Sequence, residues 1–252
     1  MRHCMALLWL VTIAVVGAER LGLAEDFRIE TKVYVGSSKT PMSENITLFR
    51  AGYVYDYLTS GTPRVAVLDQ RGGRFIILDT VRKIKAEIKT EEIRAQMEER
   101  RQQAKRSLNP ALKFAADPDF DVEFSEAGEL ILASQHMTYS LRTMTARSDA
   151  AAQQYREFSD WYARFNTIAN PGSLPQFPRL VVNKELADRS LVPTEVILNT
   201  RTDTARSEHH VSWLLLEMDQ QRIAQTAGQL ASFKEVDFQE LLTPPPAILG
   251  KR

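Results

Sequence analysis

Apolar and polar residues alternate singly at the start of the globular part of the chain, with Phe27, Ile29, Val33 and Val35 set against Arg28, Glu30, Lys32 and Tyr34. A period of two predicts a strand with one wet face. Gly36 and the serines and proline that follow, up to Ser43, predict a loop. Two further strands are expected over 45–50 and 53–58, joined at Ala51-Gly52, and the second is ended by Ser60-Gly61-Thr62-Pro63. The clearest hairpin pairs 64–69 with 74–79 through Gln70-Arg71-Gly72-Gly73, where glycine can supply positive φ. Ile84, Ala86 and Ile88 alternate with lysines and Glu87 in one more strand, so the first third is an antiparallel meander with one apolar face.

The period then changes to that of a helix. Residues 91–108 are strong helix formers behind Thr90, with Ile93, Met97, Ala104 and Leu108 on a thin stripe. Their acidic start and basic end complement the helix dipole, which accounts for Arg100, Arg101, Lys105 and Arg106 without an anionic partner. A connection containing Asn109-Pro110 and Asp117-Pro118 leads to strands near 120–124, 129–134 and 137–145. Ser148 precedes the strongest helix, reaching about residue 168, in which Ala151, Tyr155, Phe158, Tyr162, Phe165 and Ala169 recur at intervals of four and three. Asn170-Pro171-Gly172 breaks it and a proline-bearing loop follows. A short helix (180–189), strands over 194–201 and 209–218, a helix over 220–232 and a strand or loop over 233–242 complete the pattern. The fold class that results is α+β: a curved antiparallel sheet of hairpins, half-barrel-like, with helices packed on one face.

The residues before this pattern are of another kind. Arg2 and His3 precede an apolar run from Met5 to Val16 that gives way to small residues and then charges, as in a cleavable export signal. Cleavage is expected after Ala18 or after Ala24, so 1–24 is assigned as a signal peptide, 25–242 as one α+β domain and 243–252, with Pro244, Pro245 and Pro246, as a tail. Retention of the segment as an anchor is the lesser reading, because Glu19 and Arg20 interrupt it well short of a membrane span. The single cysteine, Cys4, lies ahead of the apolar run, where it cannot serve as a lipoprotein cysteine, and leaves with the leader. The mature chain is therefore expected in the periplasm or outside the cell, with no disulfide and no thiolate site.

Charge narrows the function classes. With 32 basic and 32 acidic residues, interleaved, the chain lacks the basic excess that nucleic-acid binding needs. Candidate chemistry is sparse. Asp117, Asp119, Asp121 and Glu123 begin like a calcium loop, but Val122 and Gly128 stand where that loop needs glycine and glutamate. His209 and His210 are adjacent on a strand and point to opposite faces, so neither they nor the distant His136 form a ready zinc site. No cofactor and no metal are expected. Ser207 and Ser212 lie near the histidines without a nucleophile-elbow motif, Gly72-Gly73 is a turn rather than a phosphate cradle, and Asn45-Ile46-Thr47 matches a glycosylation acceptor. The least ordinary feature is Tyr53, Tyr55 and Tyr57 on one face of a strand, an apolar wall with polar tips that suits an amphipathic groove or the half-buried back of a sheet. Trp213 lies on a late strand apolar on both faces, which calls for cover on both sides; it joins the three tyrosines as a candidate ligand-binding residue.

The leader followed by one-sided hairpins and helices, with Gly52-Tyr53-Val54-Tyr55-Asp56-Tyr57, Val67-Leu68-Asp69 and Phe75-Ile76-Ile77-Leu78-Asp79, resembles the half-barrel superfamily of lipoprotein carriers (LolA-like). It also resembles an uncharacterised family of bacterial exported proteins. The first likeness implies a curved sheet that holds acyl chains beneath helices, although this chain opens on a strand where the carriers open on a helix. The expected function is that of a non-enzymatic envelope protein binding a lipid, another apolar or amphipathic ligand, or an envelope protein. The alternatives are a periplasmic hydrolase using His209 or His210 with Glu208 or Glu217, and a structural scaffold.

Overall fold

The structure, a computed structural model, describes residues 25–169 and 176–243. The expected signal peptide, the break at 170–175 and the tail from Pro244 lie outside the described residues. Six strands come first: β1 (Phe27–Val35), β2 (Ser43–Arg50), β3 (Tyr53–Leu58), β4 (Arg64–Asp69), β5 (Arg74–Asp79) and β6 (Ile84–Lys89). Then follow α1 (Thr90–Arg106), α2 (Pro110–Ala116), β7 (Asp121–Phe124), β8 (Glu129–Ala133), β9 (Met137–Thr145), α3 (Asp149–Ala169) and α4 (Phe177–Asp188). The chain continues through β10 (Leu191–Thr200), β11 (Thr204–Ser212), α5 (Glu217–Ser232), β12 (Lys234–Glu235) and α6 (Phe238–Leu242).

All twelve strands form one open, curved sheet in the order β12-β6-β5-β4-β3-β2-β1-β11-β10-β9-β8-β7. Each neighbouring pair is antiparallel except β12 with β6. Two meanders are thus joined at one seam, where β1 pairs with β11 from Arg28 opposite Ser212 to Val35 opposite Ala205. The β2–β3 turn places both Ala51 (φ 52) and Gly52 (φ 83) in the left-handed region, which matches the twist of a tight hairpin. At the β4–β5 turn Gly73 supplies the positive φ, whereas Gly72 is needed for another reason: a Cβ there would meet Asp69 Oδ2 at 2.3 Å. Asp69 accepts from the Gly72 N–H (2.8 Å) and from Arg74 Nε (3.1 Å), so it closes the turn from inside.

Register divides the side chains between two faces. The inner face carries Phe27, Ile29, Phe49, Val54, Leu68, Phe75 and Ile77, all buried against α1, α3, α4 and α6. The stripe expected on α3 does the filling. Phe27 stacks on Phe49 at 3.9 Å, Phe49 meets Phe158 edge-on at 5.6 Å, Phe158 lies 5.3 Å from Tyr162, and Phe165 stacks on Phe75 at 5.3 Å. Ser148 starts that helix by accepting from the Ala151 N–H (3.1 Å).

Several elements differ from the sequence pattern; α4 and β10 each begin three residues early, and β11 begins at Thr204 where a loop is expected. The connection after α1 contains α2, capped by Asn109, whose side chain accepts from the Ala111 N–H (2.9 Å), with Pro110 in the first turn. The strand expected over 209–218 ends at Ser212. The Asp219 carboxylate accepts from the Leu216 N–H (2.9 Å) and starts α5 at Glu217, so Leu214, Leu216 and Met218 leave the sheet and face solvent. The two-sided cover expected of that strand is accordingly absent there. The last segment forms β12 and α6, and α5 lies across the outer face of the sheet, opposite the other helices. Among the described residues no helix is long and apolar enough to cross a membrane.

Phe158→Ala removes the ring on which this packing converges and is expected to lower the unfolding free energy by about 3–5 kcal/mol, read as a lower urea midpoint with unchanged slope.

Candidate functional site

Tyr53, Tyr55 and Tyr57 share the outer face, as their spacing predicts, but they stand in three environments. Tyr57 is covered by α5, with its hydroxyl 3.0 Å from Thr226 Oγ1. Burial pushes its phenol up to about 12, and raises that of Tyr55, so both hold their protons at any physiological pH. Tyr53 is the most exposed of the three, its ring 6.2 Å from that of Tyr55. Together Tyr53 and Tyr55 wall a groove of about 380 Å³ whose floor is Val67 and Ile76 and whose far side is Leu230 of α5. Its rim carries charges of both signs, Arg74 and Lys85 beside Glu87 and Glu235. Arg74 is held by Asp69 (3.1 Å) and Glu87 (2.9 Å), and Lys85 Nζ donates to the Leu230 carbonyl (2.6 Å). A volume of that size with aromatic walls, an apolar floor and a few polar tips is what a small amphipathic molecule requires.

Trp213 is not part of this groove. It packs against Phe27 (5.4 Å), on the side of the inner core, and borders a separate open recess of about 530 Å³ with Glu25, Asp26, Arg50 and Arg147. The four sequence-derived candidates thus divide into a pair in the groove, one tyrosine under α5 and one tryptophan elsewhere.

The inner face holds a polar row that the sequence pattern had not singled out. Asp56 accepts from Thr47 Oγ1 (2.7 Å) and Asn45 Nδ2 (2.8 Å) on the neighbouring strand, and Tyr162 of α3 adds a further hydrogen bond. Burial raises the Asp56 carboxyl above its usual range in spite of these donors, and burial with the adjacent carboxylate raises the Tyr162 phenol. Across the next two strands, in register with Asn45, lie Thr31 and His209. His209 bridges two hydroxyls, Thr31 Oγ1 at 3.0 Å from Nδ1 and Ser207 Oγ at 2.9 Å from Nε2. Its burial, followed by the Arg179 guanidinium of α4, pulls its pKa down to about 3. The distances resemble those of an activated serine, but an imidazole this weakly basic is a poor acceptor for a serine proton. Glu208 faces the other way, where it accepts from Tyr34 (3.0 Å), and Glu217 lies in the first turn of α5. The row therefore satisfies its own polar groups across four strands. A signal for it existed: Asp56 falls between Val54 and Leu58, on the apolar phase of β3, as Thr31 falls between Ile29 and Val33.

The remaining motifs resolve simply. Asn45, the acceptor asparagine, is engaged by Asp56 on the inner face. Arg101 donates to the Ala116 carbonyl (2.7 Å) and, with Lys105, faces Asp117, so part of the basic end of α1 holds the end of α2. Asp121 and Glu123 lie on the exposed edge strand β7, and among the described residues no three His, Cys, Asp or Glu side chains gather as they would around a metal ion. In comparisons with known proteins, no family model matches the chain and no curated protein matches it significantly.

The depressed His209 pKa sets a sign. The unfolded chain takes up the proton near pH 6.5 and the folded chain only near 3, so this stabilisation is complete above 6.5 and is lost as pH falls between those values. Urea unfolding of the native chain and of His209→Gln is expected to diverge below pH 6.5, with the native protein losing up to about 1.4 kcal/mol per pH unit more than the variant.

Proposed function

We propose that this chain is an exported, non-catalytic binding protein of the cell envelope that takes an amphipathic ligand into the outer-face groove at Tyr53 and Tyr55. The observation that carries the reading is the groove itself: two tyrosine rings over Val67, Ile76 and Leu230, beside a rim of Arg74, Lys85, Glu87 and Glu235. The tyrosines offer flat apolar surface with hydroxyl tips, so the ligand that fits has an apolar body and a hydrogen-bonding end. The inner face has no comparable room along α3, because Phe49, Phe75, Phe158 and Phe165 pack there ring against ring. An open antiparallel sheet crossed by helices is the architectural support for the likeness to the lipoprotein carriers, and shared architecture does not fix a shared ligand. Export rests on Arg2, the apolar run from Met5 to Val16 and the small residues before Glu19 and Glu25.

Anilinonaphthalene sulfonate, an apolar ring system with an anionic end, is the probe for the groove. Saturable fluorescence enhancement is expected, weakened about tenfold by Tyr55→Ala through loss of one aromatic contact and unchanged by Trp213→Ala. Equal binding by the native protein and Tyr55→Ala overturns the assignment. For export, the N-terminal residue of the protein recovered from the periplasm or medium is expected to be Glu19 or Glu25; an intact Met1 in the cytosol overturns it.

A further inference from the structure

We infer that the segment 213–218, between β11 and α5, docks the mature protein on a phospholipid bilayer, with its exposed leucines in the apolar layer and the neighbouring recess around a zwitterionic headgroup. The inference rests on the export reading above and leaves the tyrosine groove free.

Leu214, Leu216 and Met218 are 70 %, 47 % and 51 % exposed, and no other five consecutive residues among the described ones expose three large apolar side chains. Exposed apolar residues are ordinary singly, whereas a group of them on one short segment marks a contact surface. The segment is pinned where these side chains leave it. Ser212 Oγ donates to the Leu214 carbonyl (3.1 Å), Arg147 Nη1 donates to the Trp213 carbonyl (3.1 Å), and the Leu216 N–H donates to Asp219 (2.9 Å). Trp213 packs on Phe27, and the buried Arg28–Asp219 pair (3.3 Å) fixes the start of α5. The backbone is thus held in a shape that keeps the leucines in water, and transfer into hydrocarbon removes that unfavourable hydration.

The recess indicates what kind of surface fits. It encloses about 530 Å³ and is bordered by Trp213, Leu214 and Leu215 together with charges of both signs, Glu25, Asp26, Arg50 and Arg147. Arg147 is engaged by the Trp213 carbonyl and Glu25 by the Ser148 hydroxyl, which leaves Arg50 and Asp26, one charge of each sign. A phosphatidylethanolamine or phosphatidylcholine headgroup carries one phosphate and one ammonium, the complement of a guanidinium and a carboxylate in one recess. A strongly anionic surface is a poor match, because Glu217, exposed among the leucines, adds a third carboxylate to the two guanidinium groups. Trp213 borders the recess beside Leu214, as tryptophan does where headgroups meet acyl chains.

The path of the chain brings a bilayer within reach. Glu25 lines this recess, and the apolar run of the leader ends at Val16, nine residues earlier. Nine extended residues span at most about 30 Å, so a leader seated in the membrane leaves 213–218 within that distance of the lipid.

Flotation with vesicles, using the protein freed of its leader, tests this. Binding to phosphatidylethanolamine–phosphatidylcholine vesicles is expected, with no gain when about 30 % phosphatidylglycerol is added and no loss in about 0.5 M salt. The double variant Leu214→Ser, Leu216→Ser is expected to bind about tenfold more weakly with an unchanged urea midpoint. Leu108→Ser, at an exposed leucine between α1 and α2, is expected to bind as the native protein does. In Leu214→Trp the new indole is expected to be quenched by brominated acyl chains. Equal flotation of the native protein and the double variant overturns the docking, as does binding that needs phosphatidylglycerol and disappears in salt. A native dimer that the double variant dissociates, without flotation, places a second copy on the patch and overturns it too. The groove and export readings fail separately, on the Tyr55→Ala titration and the recovered N-terminal residue.

Discussion

The contact on which the molecule depends is the interlocking of aromatic rings between α3 and the inner face of the sheet. Phe49 and Phe75 stand on strands from different hairpins, and Phe158 and Phe165, two turns apart on one helix, reach both. A twelve-stranded open sheet has no closure to fix its curvature, so a helix that touches several strands at once supplies the missing constraint. The same rings fill the inner face along α3. With no cysteine among the described residues, this packing stabilises the fold without disulfides.

The two faces of the sheet are built on different chemistry. Inside, the apolar ladder gives way across β3, β2, β1 and β11 to a row of side chains that satisfy one another: Asp56, Thr47, Asn45, Thr31, His209 and Ser207. Such a row costs desolvation and returns specificity of register, because a slip of one residue at any of these strands would turn its polar members outward and break the set. Outside, the apolar surface under α5 is covered by Leu230 and Phe233 together with the polar Asp219 and Thr226.

Much of this was legible in the residues. Hairpins were marked by turn chemistry at Ala51-Gly52 and Gly72-Gly73, and α3 by an unbroken aromatic stripe, because in both cases the signal is local. The end of β11 was not, since Trp213, Leu214, Leu215 and Leu216 continue an apolar pattern and only the Asp219 carboxylate, folding back to the Leu216 N–H, ends the strand. The face chosen by α5 was also beyond local pattern: a helix burying Asp219 and Thr226 carries no apolar stripe to say which way it turns. The tyrosine spacing placed three rings on one face correctly but could not say that a helix from the far end of the chain would cover one of them and leave two beside a groove. Trp213 was grouped with them because its segment reads as a strand apolar on both faces, but β11 ends at Ser212 and Trp213 packs on the inner core.

The β1–β11 seam bears on how the chain acquires its fold. Thr31 and His209, hydrogen-bonded across that seam, are 178 residues apart in sequence. In a chain emerging N-terminus first, the six-strand meander, complete at Lys89, keeps β1 as a bare edge until β11 begins at Thr204, about 115 residues later. During that interval the edge is open to any extended segment that meets it. Arg28, Glu30 and Lys32, alternating in charge along β1, are the residues that make such a stray pairing unrewarding until the proper strand comes.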